Sequence, residues 1–154
     1  MALHKTAAKV QARLRELGLD VEVRELADST RTAAEAAAAV GADVGQIVKS
    51  LVFVGASGPV LCLCAGDRRV DPAKLGDGAR PARADEVRDA TGFAIGGVPP
   101  LGHNRMLATV VDQSLRRFAV LWCAAGTPHA VFAVETERLL AALPDADVAD
   151  VAEA

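Results

Sequence analysis

The chain has 154 residues, 51% of them hydrophobic and 24% charged, with a formal net charge of −3. That length suits one domain spanning 1–154, able to bury about 70% of its unfolded surface without help from disulfides or a metal. No apolar run approaches the length of a membrane-spanning helix. Lys5, Lys9, Arg13 and Arg15 also interrupt the stretch where a signal peptide needs an uncharged core, so a cytoplasmic protein with no membrane partner is expected.

In chain order, Ala7, Val10, Leu14 and Leu17 recur at helical spacing ahead of Gly18, which predicts an amphipathic helix over 3–17. Val21 and Val23 alternate with charged residues as a short half-buried strand does. Thr32 with Glu35 three residues on is a capping box, so a second helix is expected over 33–40, closed by Gly41. Segments 47–54 and 60–65 are rich in β-branched residues, and the Gly55-Ala56-Ser57-Gly58-Pro59 turn between them predicts a central hairpin. Asp71-Pro72 opens a short helix, and another near 85–91 stops at Gly92. Strands are expected at 106–111, 118–124 and 130–134, then a last helix over 136–143 that ends before Pro144. Strands in succession with helices at the ends predict an α+β fold.

Few residues invite chemistry. Cys62 and Cys64 share one face of a strand, where small buried residues are the ordinary explanation; no metal-ligand spacing accompanies them. Residues 65–120 hold nine Lys/Arg against seven Asp/Glu, and 121–154 hold one against six, so the middle of the chain is the basic part. Arg68, Arg69, Lys74, Arg80, Arg83, Arg116 and Arg117 are candidates for a phosphate-facing patch, although a solvated face explains scattered charge equally well. Lys49 stands among Ile47, Leu51 and Phe53, and an ammonium there must reach a cleft, a carboxylate or a sheet edge. Ser50 points to the opposite face of the same strand, so the two side chains are not expected to share a site, whereas the Ser50 backbone still can.

The run Gly96-Gly97-Val98-Pro99-Pro100-Leu101-Gly102-His103 combines two flexible residues with two stiff ones. Its main-chain N–H groups can face an oxyanion, carbonyl or phosphate, or it can be merely a rigid turn. It carries neither a Walker ending nor a dinucleotide fingerprint. His129 follows Gly126-Thr127-Pro128 at a loop tip, and no nucleophile elbow or catalytic cysteine signature is present.

Val48-Lys49-Ser50-Leu51, the Gly96 to Pro100 loop and Gly126-Thr127-Pro128-His129, in that order and separation, resemble the YbaK/ProX family, which includes editing insertion domains of bacterial prolyl-tRNA synthetases. The resemblance covers nearly the whole chain. It implies a curved, mixed and largely antiparallel sheet, partly closed like a barrel, with helices outside. It also implies metal-free and cofactor-free hydrolysis of the ester of a mischarged small amino acid, of the alanine, 2-aminobutyrate or cysteine class, on the tRNA for proline. The implied catalytic groups are Lys49, Gly96 and Gly97; the implied substrate-binding residues are Leu26, Ser50, Val98, Pro99, Pro100 and His129. Leu26 and Pro128-His129 replace a tyrosine and a loop found in relatives that edit cysteinyl-tRNA, which weighs against cysteine. The implied partners are mischarged tRNA and prolyl-tRNA synthetase. A non-catalytic tRNA- or nucleotide-binding module using the same cleft is the alternative.

Overall fold

The computed structural model describes residues 3–27 and 32–154. Helix α1 (Lys5–Glu16) buries Ala7, Val10 and Leu14, and the His4 ring accepts the Thr6 amide at its start. Strand β1 (Val23–Glu25) begins two residues later than the alternation suggests. Thr32 caps helix α2 (Ala33–Val40) through the Glu35 amide, and Gly41 ends it at φ 71°, a left-handed conformation that favours glycine.

The hairpin is longer than expected: β2 (Val48–Gly55) and β3 (Gly58–Ala65) pair in register from Val48↔Ala65 to Gly55↔Gly58, leaving Ala56 and Ser57 as the turn. A two-residue strand, β4 (Arg80–Pro81), then touches β2, and α3 (Ala84–Thr91) stops at Gly92. The remaining elements are β5 (Ala108–Asp112), β6 (Val120–Ala124), β7 (Ala130–Glu135), α4 (Thr136–Ala141) and β8 (Asp147–Ala149).

These strands form two sheets rather than one curved one. The order in the larger is β4-β2-β3-β5-β8 and in the smaller β1-β7-β6. A single parallel bridge, Ile47 to Trp122, joins them, and among the described residues neither sheet closes on itself. Past that bridge a cleft is lined by residues of both β2 and β6. The larger sheet is mixed as expected: β2 pairs antiparallel with β3 and β4, whereas β3–β5 and β5–β8 pair in parallel, and the smaller sheet is antiparallel throughout.

The sheets pack face to face. Val48, Val52, Leu61 and Leu63 from one meet Leu121, Phe132 and Val134 from the other, with Ala7, Val10 and Leu14 of α1 closing the side. On the outer face of the larger sheet, Phe53, Cys62, Cys64, Val70 and Val151 form a second cluster. The C-terminal segment reaches that cluster because the buried Asp112 carboxylate accepts the amides of Val151 at 2.9 Å and Ala152 at 3.2 Å.

Candidate active site

A cavity of about 640 Å³ runs along the edge of β2. Strand β4 covers that edge only at Phe53 and Val54, and Ile47 is bridged to Trp122, so among the described residues no strand pairs with Val48 to Ser50 on this edge. The Val52 carbonyl accepts the Ala82 amide on this side at 2.9 Å. Backbone groups two residues apart on a strand point the same way, so the amide and carbonyl of Ser50 face the cleft.

The side chains of β2 leave it in two directions. Lys49, Leu51 and Phe53 lie opposite Cys64, Cys62 and Val60 on the outer face, whereas Val48, Ser50 and Val52 face the core between the sheets. The cavity wraps round the free edge and is lined from both flanks: Lys49, Arg69 and Val70 on the outer one, Ser50, Gly96 and Val98 on the inner one. The two side chains leave the strand on opposite faces, as expected, and both residues border the same space at its edge.

Each flank carries a distinctive group. The Lys49 ammonium donates to the Arg68 carbonyl, at the loop that borders the cleft. Ser50 Oγ is buried without a hydrogen-bond partner, the only such side-chain atom among the described residues. A buried hydroxyl left unpaired costs free energy that a ligand atom can return. Burial, then Cys64 and Asp112, push the Cys62 thiol up to about 12 while Lys49 pulls the other way, and burial raises the Cys64 and Cys123 thiols as well, which disfavours a thiolate at each.

The glycine-proline loop is held from behind. The Gly97 amide donates to the Ala94 carbonyl at 3.0 Å, and the Gly97 carbonyl accepts the Gly126 amide at 2.8 Å. Gly96 adopts φ 89°, and a Cβ there would stand 4.0 Å from the Pro128 ring, so the two sequence motifs meet in space. Among the described residues the amides of Gly96 and Val98 donate to no acceptor, while that of Gly97 is already committed. His103 Nε2 lies 2.6 Å from the Pro99 carbonyl. A carbonyl can only accept, so that nitrogen carries the proton. Burial holds the imidazole below its ordinary pKa, with the bond to Pro99 acting against it.

Of the residues expected in the site, Lys49, Ser50, Gly96 and Val98 line the cavity, and Gly97, Pro99 and Pro100 are buried behind it. Leu26 and His129 are joined to each other, the Leu26 amide donating to the His129 carbonyl at 2.7 Å, and neither is in the lining. Of the seven basic candidates only Arg69 lines the cleft. Arg117 is paired with Asp67 at 2.7 Å, and Arg80 grips Glu86 through two nitrogens, pulling that carboxyl down to about 2. Sequence reasoning missed Trp122 and the face of α2, which line the far end. The only signal for Trp122 was its being the one tryptophan of the chain.

The model of the aminoacyl-tRNA editing domain matches residues 27–142. The chain is 33% identical over 123 residues to the uncharacterized protein YwhH of Bacillus subtilis, covering 77% of this chain and 78% of that protein. It is 36% identical over 91 residues to a proline–tRNA ligase of Thermotoga neapolitana, a match to 56% of this chain but only 15% of the ligase. A crystal structure described as a candidate trans-editing enzyme for prolyl tRNA synthetase superposes with a TM-score of 0.92 at 49% identity, over 99% of this chain and all of that one. A family match over most of the chain makes the conclusion plain: the chain belongs to the aminoacyl-tRNA editing domain family.

Proposed function

We propose that this protein is a trans-acting deacylase that hydrolyses the ester between a mischarged small amino acid and the tRNA for proline. The observation that carries this reading is the convergence of Lys49, Ser50, Gly96 and Val98 on one cavity around a free strand edge. An aminoacyl ester is already activated, so the site has to orient it and a water and stabilise the oxyanion that develops at the carbonyl. The amides of Gly96 and Val98, which donate to no acceptor among the described residues, are the fixed donors. Lys49 sits at the strand edge on a four-carbon stem, and its ammonium exchanges the Arg68 carbonyl for the ester oxygen or a backbone phosphate. The apolar inner flank, with Val52, Val87 and Val98, suits a small side chain such as that of alanine or 2-aminobutyrate.

Incubation of the protein with alanyl-, 2-aminobutyryl-, cysteinyl-, seryl- and prolyl-tRNA for proline tests this directly. Faster release of at least one small non-cognate amino acid than in buffer, with prolyl-tRNA spared, is the expected result. Equal release with and without protein would leave a non-catalytic tRNA-binding module.

A further inference from the structure

The cavity is larger than a small aminoacyl group needs. At about 640 Å³ it lies in the roughly 300–1,000 Å³ range of sites that hold drug-sized ligands. Its far end is built from one aromatic ring and small side chains: Trp122 on β6, with Ala33, Ala36 and Val40 of α2 beside it. Trp122, Ala124 and Val131 lie on the face of the smaller sheet that turns away from the core, and Arg24 of β1 shares that face. The Arg24 guanidinium stands over the Trp122 ring, 5.4 Å from its centroid.

We propose that Trp122 and Arg24 form a stacking clamp for the terminal nucleobase of the tRNA, a deepening that rests on the function proposed above. Bases of single-stranded ends are held by stacking on aromatic rings and on guanidinium planes. A base between the two needs about 3.5 Å on each side, about 7 Å in all, so the exposed Arg24 side chain backs off by an ångström or two and then covers the base. The position along the strand also fits. Ile47, bridged to Trp122, precedes Lys49 and Ser50 by two and three residues, roughly 7–10 Å of strand. That separation accommodates a nucleoside whose ester lies at Ser50 while its base lies at the ring. Arg69 at the outer flank offers a cation to the adjoining phosphate.

With one tryptophan and no tyrosine in the chain, intrinsic emission reports this ring alone. The full-length protein is titrated with uncharged tRNA for proline ending in CCA and with the same tRNA trimmed to CC. The intact tRNA is expected to quench the emission and bind about ten-fold more tightly than the trimmed one, the scale of one base–aromatic stack. Arg24→Ala, a change at an exposed residue, is expected to weaken the intact tRNA about three-fold and leave the trimmed one unchanged. In deacylation, Trp122→Ala should raise KM about ten-fold with kcat nearly unchanged, and Trp122→Phe should recover most of it. Equal binding and quenching by the two tRNAs, or an unaltered KM in a folded Trp122→Ala protein, would overturn the clamp. Uncharged tRNA undergoes no hydrolysis, so the titration decides the clamp even if no mischarged tRNA is turned over, and deacylation by a folded Trp122→Ala protein with unaltered KM refutes the clamp alone.

Discussion

Gly97 and Gly126 touch backbone to backbone: a Cβ on Gly97 would stand 2.7 Å from the Gly126 carbonyl oxygen, and the Gly126 amide already donates to the Gly97 carbonyl at 2.8 Å. Gly126 is in turn pressed on α1, where its own Cβ would meet Val10 at 2.8 Å. The contact at Gly97 cannot yield by rotating a side chain away, because its neighbours are main-chain atoms of Gly126 and Thr127. Gly97→Ala is therefore expected to destabilise the fold by about 2 kcal/mol, measured by urea denaturation, and to lower deacylation further than the stability loss explains by displacing the Gly96 and Val98 amides.

Ser50→Ala should separate function from folding. The hydroxyl has no partner in the free protein, so its removal is expected to change stability by less than about 0.5 kcal/mol. If the substrate supplies the missing hydrogen bond, kcat/KM falls about ten-fold. Paired denaturation and deacylation measurements check both halves.

How much of this was legible in the sequence depended on how local the signal was. Thr32, Glu35 and Gly41 specify α2 because a cap is a contact within one turn, and α2 forms where they place it. The β2–β3 hairpin was equally readable, since β-branched runs on either side of a turn suffice. The parallel pairings of β3 with β5 and of β5 with β8 were not, because Asp147–Ala149 has no apolar pattern and is tied down by its neighbours' bonds to Asp112, 39 and 40 residues away. In the site, Lys49 and the glycine-proline loop announced themselves by being anomalous in an apolar context. Trp122 did not, since a tryptophan in a strand reads as ordinary core until the strand edge beside it is found to be open.

Asp112 anchors the C-terminal segment, and its sign with pH follows from its bonds. Burial pushes its carboxyl up, but hydrogen bonds from Ser114, Val151 and Ala152 outweigh that and hold it below its ordinary value. Its contribution is thus complete above the unfolded carboxyl value of about 3.8 and is lost as pH falls through the lower folded one. Asp112→Ala is expected to cost about 3 kcal/mol at neutral pH, with a smaller penalty near pH 2, measured by chemical denaturation at both.

His103 acts in a different window. The unfolded chain takes up its proton near 6.5, and burial keeps the folded imidazole neutral to lower pH. Its contribution is complete above about 6.5 and declines as pH falls toward the folded value, so stability should drop between pH 7 and pH 5. His103→Gln, whose amide can still donate to the Pro99 carbonyl, should flatten that slope while retaining most of the activity; His103→Ala should flatten it and lose activity. Denaturation midpoints against pH, with kcat and KM for each variant, distinguish the two.

The most direct measurement is single-turnover hydrolysis of alanyl-tRNA for proline by the wild-type protein and by Lys49→Ala. Lys49 borders the cavity at the open edge of β2, and loss of its ammonium is expected to slow hydrolysis about a hundred-fold or more while the protein stays folded. Hydrolysis at the wild-type rate by a folded Lys49→Ala protein would contradict the role given to this edge of the sheet.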